Sequence, residues 1–188
     1  MKNLRPLGAA LLLLALTACG AGRQESAQTP DPAAADDRGI PGLLAAPLAE
    51  ALSGEPYYMP PSPRMAPVGK QAEQAAFLYE SHGKDDTGLT FDYELLSDAN
   101  DELVTATLSV SAKRMSDTKL YQTALRLCEQ VADLPYDTAG GEELLTWMQE
   151  GLATYSAVVD TMTVGDAQFT FSSMPELNCT IEIQRVEP

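Results

Sequence analysis

Four carboxylates, Asp85, Asp86, Asp101 and Glu102, are the side chains of this 188-residue sequence best suited to acid–base chemistry. Two of them in one deep pocket, with raised pKa values, would serve as general acid and general base. The single histidine, His82, precedes Gly83 and the run Lys84-Asp85-Asp86. One histidine cannot build a His-rich zinc site, and no second His or nearby Cys supplies ligand spacing. His82 therefore reads as a loop residue, with no nucleophile elbow to make it part of a Ser-His-Asp arrangement. Asp98, Asn100, Asp101 and Glu102 offer oxygen ligands, but the sharp-turn glycine and the distant bidentate Glu of a calcium loop are absent. A solvated hairpin turn is the better reading. Gly140-Gly141 lacks the Lys-Ser or Lys-Thr partner of a phosphate loop. No metal and no cofactor are expected.

The elements that must position these residues follow from hydrophobic spacing. Phe91, Tyr93 and Leu95 alternate with Thr90, Asp92 and Glu94; Val104, Ala106, Leu108 and Val110 alternate with Thr105, Thr107 and Ser109. Period two gives each strand one buried face, and the turn formers at 97–102 join the two as an antiparallel hairpin. Ser116 or Asp117 is placed to cap a helix over 118–133, with Leu120, Ala124, Leu127, Cys128 and Val131 on its inward stripe and Pro135 beyond its end. Glu142 and Glu143 suit the positive start of a second helix. Its apolar face is Leu144, Leu145, Met148, Leu152 and Tyr155, and Gly151 weakens it. Phe169 with Phe171, then Cys179 with Ile181 and Ile183, form a second hairpin. Residues 72–81 fit either helix or strand, with a lean toward a strand ending near Ser81. The order β-β-α-α-β-β predicts an α+β two-layer sandwich: an antiparallel sheet of four to five strands with two helices on one face.

Ahead of this domain, residues 21–67 hold nine prolines among Ala, Gly and polar residues. Proline removes amide donors and disfavours a helical predecessor, so residues 19–67 read as a disordered tether and 68–188 as the globular domain. A flexible chain of about fifty residues spans roughly 40 Å. Two islands interrupt the tether. Leu44, Leu48 and Leu52 repeat at helical spacing, and Tyr57, Tyr58 and Met59 precede a proline cluster. Tyr57 and Tyr58 are candidate docking residues, as is Trp147, whose offset from the Leu144–Met148–Leu152 face predicts a partly exposed ring.

The chain starts with Lys2 and Arg5, continues as an apolar run from Leu7 to Leu16, and passes into Leu16-Thr17-Ala18-Cys19-Gly20. Charged start, short apolar core and small residues are the three parts of a secretory signal peptide; the run is too short to span a bilayer. Leu16-Thr17-Ala18-Cys19 resembles the lipobox of bacterial lipoproteins. The resemblance covers only the leader. It implies that residues 1–18 are removed and that Cys19 carries diacylglycerol as the first mature residue. Membrane attachment through that lipid follows, since two or more acyl chains anchor stably. The resemblance implies anchoring in the outer leaflet of the bacterial cell membrane or in the outer membrane; Gly20, where lipoproteins kept in a Gram-negative inner membrane often carry Asp, bears on that choice only in a host with two membranes.

With Cys19 consumed by lipid, Cys128 and Cys179 remain as an even pair in an oxidising place. Both face the helix–sheet core, so a Cys128–Cys179 disulfide is expected, closing a loop of about fifty residues worth around 4 kcal/mol. Loss of Lys2 and Arg5 with the leader takes the formal charge from −15 to −17. Such a surface repels phosphate polyanions, which excludes nucleic acid as a partner. The expectation is an exported, lipid-anchored envelope protein whose domain binds a protein, peptide or envelope component without catalysis. The rival classes are an envelope hydrolase working through carboxylates, and an accessory subunit on which the tether islands become ordered.

Overall fold

The computed structural model describes residues 38–54, 57, 59–112, 118–135, 140–154, 156–174 and 177–186. Cys19, the lipobox, Tyr58 and Tyr155 lie outside these residues.

The protein is α+β, built on one open antiparallel sheet. Six strands pair in the order β1-β2-β3-β6-β5-β4. They are β1 (Phe77–Lys84), β2 (Leu89–Ser97), β3 (Leu103–Ala112), β4 (Val158–Val164), β5 (Ala167–Met174) and β6 (Asn178–Arg185). The helices are α1 (Ala45–Ala51), α2 (Gln71–Gln74), α3 (Thr118–Ala132) and α4 (Gly140–Ala153). The expected count of four to five strands is thus corrected to six, and the expected two helices are joined by the short α1 and α2. The ambiguous segment 72–81 is split: residues 72–74 lie in α2, and the strand begins at Phe77 and runs past Ser81 to Lys84. β4 had no sequence signal, because its burial runs partly buried, exposed, exposed, exposed and offers no apolar alternation to read.

One face of the sheet is the core. Phe91, Leu95, Leu108, Val110, Phe169, Phe171, Ile181 and Ile183 meet Leu127, Val131, Leu144 and Met148 of the two long helices. Period-two alternation on the strands and the inward helix stripes dictate this contact. α4 reaches the sheet closely enough that a Cβ on Gly151 would stand 2.6 Å from Phe171 Cε1. The glycine that weakens the helix is what lets it pack. The turn between β4 and β5 is Gly165-Asp166, with Gly165 at φ +56°, a conformation that glycine adopts without steric cost.

The expected tether needs the largest correction. Ile40, Leu43, Leu48, Leu52, Tyr57 and Met59 are buried in the main core, so the packed unit starts at or before Arg38 rather than at residue 68. The strap from Arg38 to Met65 crosses the end of the β2–β3 hairpin and then the β1 edge. The Ile40 amide donates to Leu103 O at 2.8 Å, the Leu103 amide to Leu43 O at 2.7 Å, and Met65 and Leu78 exchange two 2.9 Å backbone bonds. Prolines do forbid a long helix here. They leave room for the seven residues of α1, whose Leu48 side chain, with Leu52 just beyond the helix, enters the core.

Candidate functional site

Three of the four carboxylates singled out by the sequence, Asp85, Asp101 and Glu102, are engaged in holding turns together, while Asp86 is exposed on the surface. Asp85 directly follows β1, and its side chain is nearly inaccessible. Its Oδ1 accepts from the amides of Thr87 at 3.0 Å and Leu89 at 2.8 Å, its Oδ2 from the Thr87 hydroxyl at 2.8 Å and from Lys119 Nζ on α3. Desolvation pushes its pKa up, but the hydrogen bonds from Lys119, Thr87 and Leu89 outweigh it and bring the group down to about 2. A proton donor at neutral pH requires the opposite shift.

Asp101, at φ +68°, accepts from the Ala46 amide at 3.0 Å on Oδ2 and from the Tyr79 hydroxyl at 2.7 Å on Oδ1. Burial, then the bond to Asp101, pushes Tyr79 up to about 12. Glu102 Oε1 accepts from the Gly42 amide at 3.1 Å. Asp98 Oδ1 accepts from the amides of Asn100 and Glu102, both at 2.9 Å. The residues that resembled a weak calcium loop therefore close their own turn and clamp the strap, as short Asx side chains do in turns. Among the described residues no group of three or more His, Cys, Asp or Glu is arranged to hold a metal ion.

Concave surface lies on the sheet face away from the helices. A groove of about 570 Å³ is lined by Pro60, Pro61 and Pro63 from the strap and by Glu80, His82, Asp92, Glu94, Thr107 and Ser109 from the first three strands, among others. The register sets two rows across it: His82–Asp92–Ser109–Thr180–Ser172, and Glu80–Glu94–Thr107–Glu182–Thr170. His82 Nδ1 donates to Asp92 Oδ1; the side chains are 62% and 49% exposed. His82 is thus a strand residue, not a loop residue. Asp92 stands between His82 and Ser109, so the imidazole cannot bridge acid and hydroxyl as a nucleophilic relay requires. The arrangement offers hydrogen-bond acceptors, hydroxyls and negative charge to a ligand laid across the sheet.

The remaining expected site residues are dispersed. Tyr57 is 2% exposed, its ring 4.4 Å from Phe91 and its hydroxyl bonded to Gln130. It is a core residue rather than a docking residue, and burial raises its phenol's pKa far above the usual range. Trp147 is half-buried at the far end of the sheet. Its ring packs edge-on to Phe171 at 5.9 Å, and its Nε1 donates to Asp160 Oδ2 at 3.1 Å. Cys128 and Cys179 do meet in the core, but as free thiols. The expected disulfide is absent from the structure. In this reduced pair a hydrogen bond with Cys179 and burial both push the Cys128 thiol up, which favours the neutral thiol over the thiolate. The sequence reading missed Glu80, Asp92, Glu94 and Glu182. Their signal was present as the polar half of each alternating strand, the half that faces away from the core.

No family model matches the chain. Comparison with curated proteins and with solved structures likewise gives no match. Functional inference rests on the chain's own chemistry.

Proposed function

We propose that this protein is a lipid-anchored cell-envelope domain that binds a partner rather than transforming a substrate. The leader motif ending in Cys19 supports the anchor. The observation that carries the binding reading is the contrast between the two sets of carboxylates. Asp85, Asp101 and Glu102 are consumed by structural hydrogen bonds, while Glu80, Asp92, Glu94 and Glu182 line an open, water-exposed face. An acid–base pair works in a site that controls its solvation, whereas a broad polar face with negative charge suits recognition of a ligand bearing donors and positive charge. No helix of the described residues is long and apolar enough to cross a membrane.

Two measurements test it. Cys19→Ser moves the protein from the membrane fraction to the soluble fraction if the anchor is right. Purified mature protein binds isolated envelope fragments saturably. Glu94→Lys with Glu182→Lys weakens that binding at least tenfold, and Glu102→Gln leaves it intact. Turnover of an envelope substrate, lost in any single carboxylate variant, overturns the reading in favour of a hydrolase.

A further inference from the structure

The two long edges of the sheet are treated differently. The outer edge of β1 is covered by Met65 of the strap. β4 forms the opposite edge, and among the described residues it pairs only with β5. Exposed edges are normally blunted by proline, lysine, a bulge or a covering loop. Among the described residues β4 has none of these: Val158, Val159, Thr161, Thr163 and Val164 are β-branched, Val159 is 76% exposed, and the one charge is Asp160, whose Oδ1 accepts from the Thr161 amide at 2.8 Å.

Chemistry beside that edge has a single sign. α4 runs next to β4, and Glu142, Glu143, Thr146, Trp147 and Glu150 line a hollow of about 590 Å³ there. Asp160 in the middle of β4 is tied to Trp147, and that bond, with the Thr161 amide, lowers its pKa. From residue 127 to residue 184 the sequence contains no Lys or Arg. This stretch of 58 residues contributes no cation of its own to the wall.

We propose that the outer edge of β4 accepts an extended, lysine- or arginine-bearing peptide segment of a partner protein as a seventh strand. Backbone bonds to the edge supply affinity, and alternate side chains on the helix side lie among Glu143, Glu150 and Asp160 and over the Trp147 ring. A second copy of this chain is the disfavoured occupant. Pairing two β4 edges about a twofold axis would bring two acidic walls together without a counter-charge. The inference rests on the binding role proposed above and assigns it a partner chemistry at a second surface.

Trp147 is the only tryptophan in the chain, so its emission reports on this site directly. The probe is a ten-residue peptide alternating lysine with valine, titrated into full-length mature protein in detergent. A saturable change in Trp147 emission is expected, weakened by salt. It should be lost with the same peptide N-methylated at alternate residues, and reduced at least tenfold by Val159→Lys. Equal response to the N-methylated peptide, or no response, overturns strand addition. So does a concentration-dependent dimer that Val159→Lys abolishes, which would assign the edge to a second copy. Envelope binding that still depends on Glu94 and Glu182 in any of these cases means that the edge proposal has failed while the binding role stands.

Discussion

The carboxylate of Asp101 receives the backbone amide of Ala46 at 3.0 Å, so a residue in the β2–β3 turn caps a helix that precedes it by 55 positions. The Ala45 amide reaches the carbonyl of the same residue at 2.9 Å. Leu44, at the N-cap position of α1, has no side-chain acceptor of its own, and helix starts left without one are destabilised. Asp101→Ala is therefore expected to cost about 2 kcal/mol, read as a lower urea midpoint. Asp101→Asn should retain part of this, since asparagine tolerates positive φ and keeps one acceptor.

Burial of the strap gives a sharper test of where the domain begins. Leu48 and Leu52 are 2% and 0% exposed. Truncating either to alanine should remove about 2–5 kcal/mol, as for other buried leucines. A free tether would predict no change in the unfolding midpoint.

Asp85 sets a pH dependence whose sign follows from its lowered pKa. A carboxyl that ionises near 3.8 when unfolded and at about 2 when folded contributes stability that is complete above pH 4. That contribution disappears as pH falls through about 2. Unfolding curves of the wild type and Asp85→Asn should thus differ at neutral pH and converge on acidification. A constant gap down to pH 2 would show that the ion pair with Lys119 is not the source.

Gly151 poses two opposed effects. Alanine would add helix propensity of about 1 kcal/mol, but its Cβ would meet Phe171, which is 1% exposed and cannot yield. Overpacking costs typically 1–3 kcal/mol, so Gly151→Ala should be destabilising. Phe171→Leu in the same chain should recover part of the loss, and a double-mutant cycle by chemical denaturation measures it.

The two core thiols should behave alike. Cys128 and Cys179 are 0% and 1% exposed. Iodoacetamide at pH 8 should leave both unmodified in the folded protein and alkylate both in denaturant without reductant. Mass spectrometry of the peptides distinguishes this from a disulfide, which would block alkylation in both conditions.

What the sequence displayed was periodicity, and where periodicity was clean the structure follows it. The strand around Phe91–Tyr93–Leu95, the strand around Ala106–Leu108–Val110 and the stripe Leu120–Ala124–Leu127–Val131 all lie where apolar spacing placed them. β4 escaped because, at the sheet edge, only Val164 of its residues is buried, while Asp160 on the helix side takes a hydrogen bond from Trp147 in place of apolar packing. The strap escaped for a different reason. Its prolines and alanines resemble a linker in composition, while the contacts that fix it, from Asp101, Glu102 and Gln130, come from residues distant in sequence. The same distance misled the reading of the carboxylates. Asp101 and Glu102 look like free acids until the amides of Ala46 and Gly42 are brought to them.

The strap also has a mechanical consequence. In the anchored protein proposed above, tension between membrane and domain enters at the amino-terminal side, and residues 38–65 are loaded before any strand of the sheet. Their release would add at most roughly 90–100 Å of chain between membrane and sheet, and it would withdraw Leu43, Leu48, Leu52 and Tyr57 from the core. The protein would then have two working heights above its membrane, one with the strap seated and one with it paid out, and the bonds of Ile40, Ala45 and Met65 would set the force that separates them.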